Sequence, residues 1–143
     1  RKKDYFREGK VLQDPIDQEN IARLVEIVTA HGWPRTSEVG EDAALGAFLV
    51  VQHADLTYQE RYHPLIRERH DQGEAKGAWV ALLTDRISVR HGKPQTFGTQ
   101  SCPGPEGSGW RLCPLEDPAN VNARRESLGM RALPPEALAG VED

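Results

Sequence analysis

Glu41-Asp42-Ala43-Ala44-Leu45-Gly46-Ala47-Phe48-Leu49-Val50-Val51-Gln52-His53 is the stretch that decides the fold. A run of this length with no proline predicts a helix beginning near Glu41. It is apolar on nearly every side, so it is expected to be the central and most buried helix. Ala43, Ala44, Gly46 and Ala47 are small enough to let neighbouring helices approach closely.

The flanks repeat the helical signal. Upstream, Ile21, Leu24, Val25 and Val28 follow an i, i+3, i+4, i+7 stripe after Asp14-Pro15, a helix start with proline near the first turn. Gly32 caps this helix, and Pro34 prevents its continuation. Downstream, Thr57 to Asp71 reads as a third helix with Tyr58, Tyr62, Leu65, Ile66 and Arg69 on one face, kinked or restarted at Pro64. A fourth spans about Glu74 to Thr84.

The pattern then changes. Ile87-Ser88-Val89-Arg90 alternates and is β-branched, His91-Gly92-Lys93-Pro94 is a turn, and Gln95 to Gln100 returns as a strand. Trp110 to Cys113 is a candidate third strand. Asp117-Pro118 opens a helix to about Leu128, and Pro134-Pro135 begins a short last one. The expected fold is α+β and mostly α: at least four helices form the core, with a small antiparallel β-hairpin or three-stranded element in the second half. Residues 1–13 read as a flexible lead-in, and 14–140 as a single globular domain.

Composition narrows the function. The 143 residues carry a net charge of −4, which argues against a phosphate-backbone grip and hence against nucleic acid as partner. No run of about 18 apolar residues is present, so no membrane partner is expected. Arg1-Lys2-Lys3 leads into Asp4, Tyr5 and Phe6 rather than an apolar signal core, which points to the cytoplasm. Cys102 and Cys113 flank a Pro/Gly-rich loop; free thiols are slightly favoured over a disulfide closing it.

The candidate chemistry lies at the ends of elements. His53, after Gln52, is a candidate general acid or base, with a capping histidine as the structural alternative. Asp85 is placed to orient it or take a substrate proton. Arg86 is a candidate clamp for an anionic group. Gln95, Thr99 and Gln100 alternate along the expected hairpin, where they would position substrate or water. Arg124 and Arg125 add cations, and Trp33 adds an aromatic surface. No metal site is expected: His63 and His70 are seven apart and no H-E-x-x-H spacing occurs. No cofactor is expected, since the glycine-rich nucleotide-binding loops are missing.

Gly32-Trp33-Pro34, Gln52-His53-Ala54-Asp55, Asp85-Arg86-Ile87, Gly92-Lys93 with Gln95 and Gly98-Thr99-Gln100, and Arg124-Arg125 with Gly129 stand in the order G-W-P, Q-H-A-D, D-R-I, G-K-x-Q-x-x-G-T-Q, R-R-x-x-x-G. This series resembles a bacterial domain family of unknown function over roughly residues 14–135. The order of the motifs, not any single one, carries the resemblance, and it implies a shared site without implying a reaction.

The expectation from these residues is a small cofactor-independent enzyme, a hydrolase, lyase or isomerase, doing acid–base chemistry on a small anionic molecule. The alternative is a module that binds a small molecule or peptide without catalysis. A third reading makes the polar series, Gln52, His53 and Asp85 included, a buried structural network that ties the hairpin to the helices.

Overall fold

The computed structural model describes residues 15–142. Asp14 and the expected lead-in lie outside them. Backbone contacts divide the chain into two units after Lys76.

The N-terminal unit is helical. Helix α1 (Pro15–His31) buries Ile21, Leu24 and Val28, the stripe expected from the sequence. Gly32 ends it with φ +77° and donates its N–H to the Val28 carbonyl at 2.8 Å. A short helix α2 (Thr36–Val39) follows. Helix α3 (Glu41–Gln52) packs against α1, α2 and α4 (Leu56–Asp71), so the decisive stretch is central to this unit.

It is not buried all round, however. Ala44, Ala47, Phe48 and Val51 face inward, while Leu45 and Leu49 keep 41% and 40% of their surface. The 3.6-residue period explains this, because a helix among three neighbours still turns one side outward. Pro64 lies within α4 without ending it. The first turn of a helix lacks ladder acceptors, but Pro64 stands nine residues into this one, and its exposed position absorbs the lost donor.

The C-terminal unit departs further from expectation. Helix α5 (Gly77–Arg90) runs straight through Ile87-Ser88-Val89-Arg90, the expected first strand. Strand propensity is a weak preference, and the buried row Trp79, Val80, Leu83 and Asp85 fixes the segment as helix. Gly92 (φ +71°) terminates α5, with Lys93 N–H donating to Ser88 O at 2.9 Å and Gly92 N–H to Val89 O at 3.0 Å.

Residues 95–100 form a loop rather than a strand, touching the sheet pattern only through a parallel bridge between Gln95 and Leu115. The hairpin lies later, with β1 (Ser101–Pro103) antiparallel to β2 (Trp110–Leu112). The expected third strand at Trp110 is thus the second strand of the real hairpin. Cys102 and Cys113 are joined by a disulfide at its base, where the slight preference from sequence was for free thiols. The β1–β2 register brings their Cα atoms to 4.9 Å, within ordinary disulfide reach.

A 3₁₀ turn (Pro118–Asn120) leads into α6 (Val121–Ser127), and α7 (Pro135–Leu138) packs on β2. The fold is α+β and mostly α, with one small antiparallel sheet in the second half.

Candidate functional site

The C-terminal unit gathers seven of the expected site residues around loop 95–100. Asp85 projects from α5 with no exposed surface. Its Oδ1 accepts from the N–H groups of Thr96 (2.8 Å) and Phe97 (2.9 Å). Its Oδ2 accepts from Thr99 N–H at 3.0 Å and from Thr99 Oγ1 at 2.8 Å, with a longer contact to Phe97 N–H at 3.2 Å. Four donors fill the roughly four acceptor positions of a carboxylate. The loop's backbone N–H groups make a concave anion nest, and Asp85 is the anion in it.

Gln95 locks the other end of the loop. Its side chain is fully buried and donates from Nε2 to the carbonyls of Gln100 (2.9 Å) and Cys113 (3.0 Å), while Oε1 accepts from Gln100 N–H at 2.8 Å. A primary amide is the side chain that can donate twice and accept once at a single buried point. Gln100 also accepts from Arg86 Nε at 3.4 Å and donates to Thr99 Oγ1 at 3.1 Å. Gly98, at φ +69°, has Leu133 Cδ1 2.7 Å from where a Cβ would sit, so a side chain here would displace Leu133.

The paired arginines bind carbonyls. Arg124 donates from Nε to Thr96 O at 2.8 Å and from its terminal nitrogens to the carbonyls of Glu116 and Asp117. Arg125 donates to Phe97 O and to Arg131 O, both at 2.7 Å. The donors of residues 96 and 97 therefore go to Asp85, and their acceptors to the two arginines. Burial lowers the Arg125 pKa from its usual value, and the Asp85 charge opposes this. Burial, then the neighbouring Arg90 charge, lowers that of Arg86.

The remaining three expected residues lie in the N-terminal unit. Gln52 and His53 end α3, and His53 is exposed as its C-cap. The Gln52 carbonyl accepts from Gln59 Nε2 at 2.9 Å, and that of Val51 from the same nitrogen at 3.3 Å. Gln59, fully buried on α4, thus adds a side-chain donor at the end of α3, where the Val51 carbonyl also accepts from Ala54 N–H at 3.0 Å. The sequence reading passed over it; its signal was an amide between Tyr58 and Tyr62 on the inward side of α4.

Trp33 is 2% exposed, with its ring 5.7 Å from that of Tyr62. It floors a cavity of about 470 Å³, together with Ile27, His31, Arg35, Val39 and Arg69 among others. Arg69 reaches in from α4, donating from Nε to Trp33 O (3.0 Å) and from Nη1 to Gln72 Oε1 (2.9 Å). Among the described residues Nη2 has no hydrogen-bond partner. It lies 3.2 Å from the point where a Cβ on Gly32 would sit, so the bare glycine leaves it room.

Two guanidiniums, Arg35 and Arg69, stand beside Glu38, which is 4.0 Å from Arg35, and both also act on the Glu74 carboxylate. The loop that carries Trp33 is held by Glu74, whose carboxylate accepts from Ser37 N–H (2.9 Å) and Ser37 Oγ, and whose carbonyl accepts from Thr36 Oγ1 at 2.8 Å. The hydrogen bonds from Ser37 hold the Glu74 pKa below the usual carboxylate value. Arg69 had been visible in the sequence as a cation on an otherwise apolar helical face. Among the described residues no cluster of three or more His, Cys, Asp or Glu side chains is placed to hold a metal ion, and no helix is long and apolar enough to cross a membrane.

Residues 9–143 match a family of unknown function, DUF6624, and the chain belongs to that family. Neither the curated proteins nor the solved structures gave a match.

Proposed function

From a family whose description carries no activity, we propose that this protein is a binding module for a small anionic molecule, taken up in the Trp33 cavity of the N-terminal unit. The observation that carries the reading is the Arg69 guanidinium. It is held by two hydrogen bonds, yet among the described residues one terminal nitrogen has no hydrogen-bond partner, and it lines a cavity shared by Ile27, Pro34 and Val39 with His31, Arg35 and Glu38. A cavity with apolar walls and a few fixed polar groups is the usual form of a small-molecule site. A guanidinium already held in place loses little freedom when an anion arrives.

The acid–base reading draws less support from the geometry. It needs a carboxylate with an acceptor position to spare, and both oxygens of Asp85 are occupied by the loop they hold. The role this supports for the D-R-I, G-T-Q and R-R motifs is to fix loop 95–100.

The test is a panel of small anions added to ¹⁵N-labelled protein, with amide shifts followed. Binding is expected to move Gly32, Trp33, Val39 and Arg69. Shifts clustered around loop 95–100, or new product signals appearing with time, would count against this reading and favour the acid–base one.

A further inference from the structure

The outward side of α3 is complementary to itself, and we propose that it is the surface on which two copies of this chain pair, helix against helix and antiparallel. Three observations converge. First, Leu45 and Leu49 lie opposite the buried row Ala44, Ala47, Phe48 and Val51, and keep 41% and 40% of their surface. With Asp42, Gly46 and His53, all exposed, they form one stripe at the i, i+3, i+4, i+7 and i+11 positions of the helix.

Second, nothing among the described residues calls for a glycine at position 46. Glycine in mid-helix is destabilising relative to alanine, yet a Cβ on Gly46 would meet no neighbouring group within 4 Å. The bare position is an open notch in the middle of the stripe, where another backbone can come close.

Third, the stripe matches its own reverse. An antiparallel crossing centred between Ala47 and Phe48 sets Gly46 against the partner's Leu49, Leu45 against the partner's Val50, and Asp42 against the partner's His53. Leu49 of each copy then fills the notch of the other, and every contact occurs twice by symmetry. The ends agree as well. The acidic first turn, Glu41 and Asp42, meets the end that carries His53, and the positive end of each helix dipole lies beside the negative end of the other. A parallel crossing would instead bring acidic end to acidic end.

A single helix crossing buries less than the ~1,200 Å² of a standard interface, so the dimer is weak, with an expected Kd of about 0.1 mM. Sedimentation equilibrium of the full chain from about 10 μM to about 1 mM brackets that value and should show the mass rising from monomer to dimer. Gly46→Gln fills the notch but favours the helix. It should weaken the dimer by about tenfold or more while raising the melting temperature of the dilute protein by a few degrees. A role for Gly46 within its own chain would not produce these opposite signs.

His53→Asp sets like charges together at both symmetric positions and should weaken the dimer by about fivefold, and adding Asp42→Lys should restore it. A chain that stays monomeric to about 1 mM, or a dimer that Gly46→Gln leaves intact, would overturn the pairing. A charge swap that fails to restore the dimer would overturn the antiparallel crossing on which the proposal rests.

Discussion

Asp85→Asn is the sharpest test of what the buried motif residues do. The substitution keeps shape and volume but turns one acceptor oxygen into a donor nitrogen. With that nitrogen toward Thr99, the Thr99 hydroxyl can rotate and accept, but the Thr99 N–H, now 3.0 Å from an oxygen, faces another donor. With the amide flipped, Thr96 N–H, at 2.8 Å, faces a donor instead, and Phe97 N–H keeps only its longer 3.2 Å contact. The cheaper orientation loses one charge-assisted bond and leaves one buried donor unsatisfied, together about 3 kcal/mol. That is a large share of the ~5–15 kcal/mol that stabilises a typical domain. It should lower the melting temperature by about 10 °C.

Urea unfolding measures the loss, and amide hydrogen exchange locates it. Protection should fall first at Thr96, Phe97 and Thr99. Glu126→Gln, an exposed change on α6, is the control and should stay within about 0.5 kcal/mol. A loss below about 1 kcal/mol for Asp85→Asn, with protection at those three amides intact, would refute the account of Asp85 as the anion of the loop's nest.

Gln59→Ala removes the side-chain donor shared by the Val51 and Gln52 carbonyls and opens a small cavity, so it should cost about 2–3 kcal/mol in urea unfolding. Reduction of Cys102–Cys113, which spans 11 residues, should destabilise by about 3 kcal/mol; a Cys102→Ser, Cys113→Ala double variant should then melt at the same temperature with and without reductant. Burial, then the Arg67 charge, holds the His63 pKa below 6.5 in the folded chain, so the unfolded chain binds the proton more readily. This group's contribution is therefore constant above neutrality and falls as pH drops below the unfolded value, by at most about 1.4 kcal/mol per pH unit. His63→Gln should flatten the stability profile between about pH 7 and pH 5, and an unchanged slope would show that His63 is not its source.

The sequence by itself determined the helices of the first half. The stripe Ile21, Leu24, Val28 and the apolar run of 43–51 state a period, and a period is a local property of the chain. It likewise marked the helix end at Gly32 and a turn, though between two strands, at Gly92, because a left-handed backbone favours glycine wherever it occurs. It also grouped Asp85, Arg86, Gln95, Thr99, Gln100, Arg124 and Arg125 into one expected site, but with Gln52, His53 and Trp33, which lie in the N-terminal unit.

What those residues do was decided only by tertiary structure. A carboxylate that works on a substrate and one that holds a loop are the same residue in sequence. They differ in whether backbone N–H groups from 11 to 14 positions later fold back onto them. The continuation of α5 through Ile87 and Val89 was decided in the same way, since burial of Leu83 and Asp85 outweighs a few tenths of a kcal/mol of strand preference. The Trp33 cavity is the clearest instance. Trp33 and Arg69 stand 36 positions apart, and only the packing of α4 brings the guanidinium to the Trp33 carbonyl.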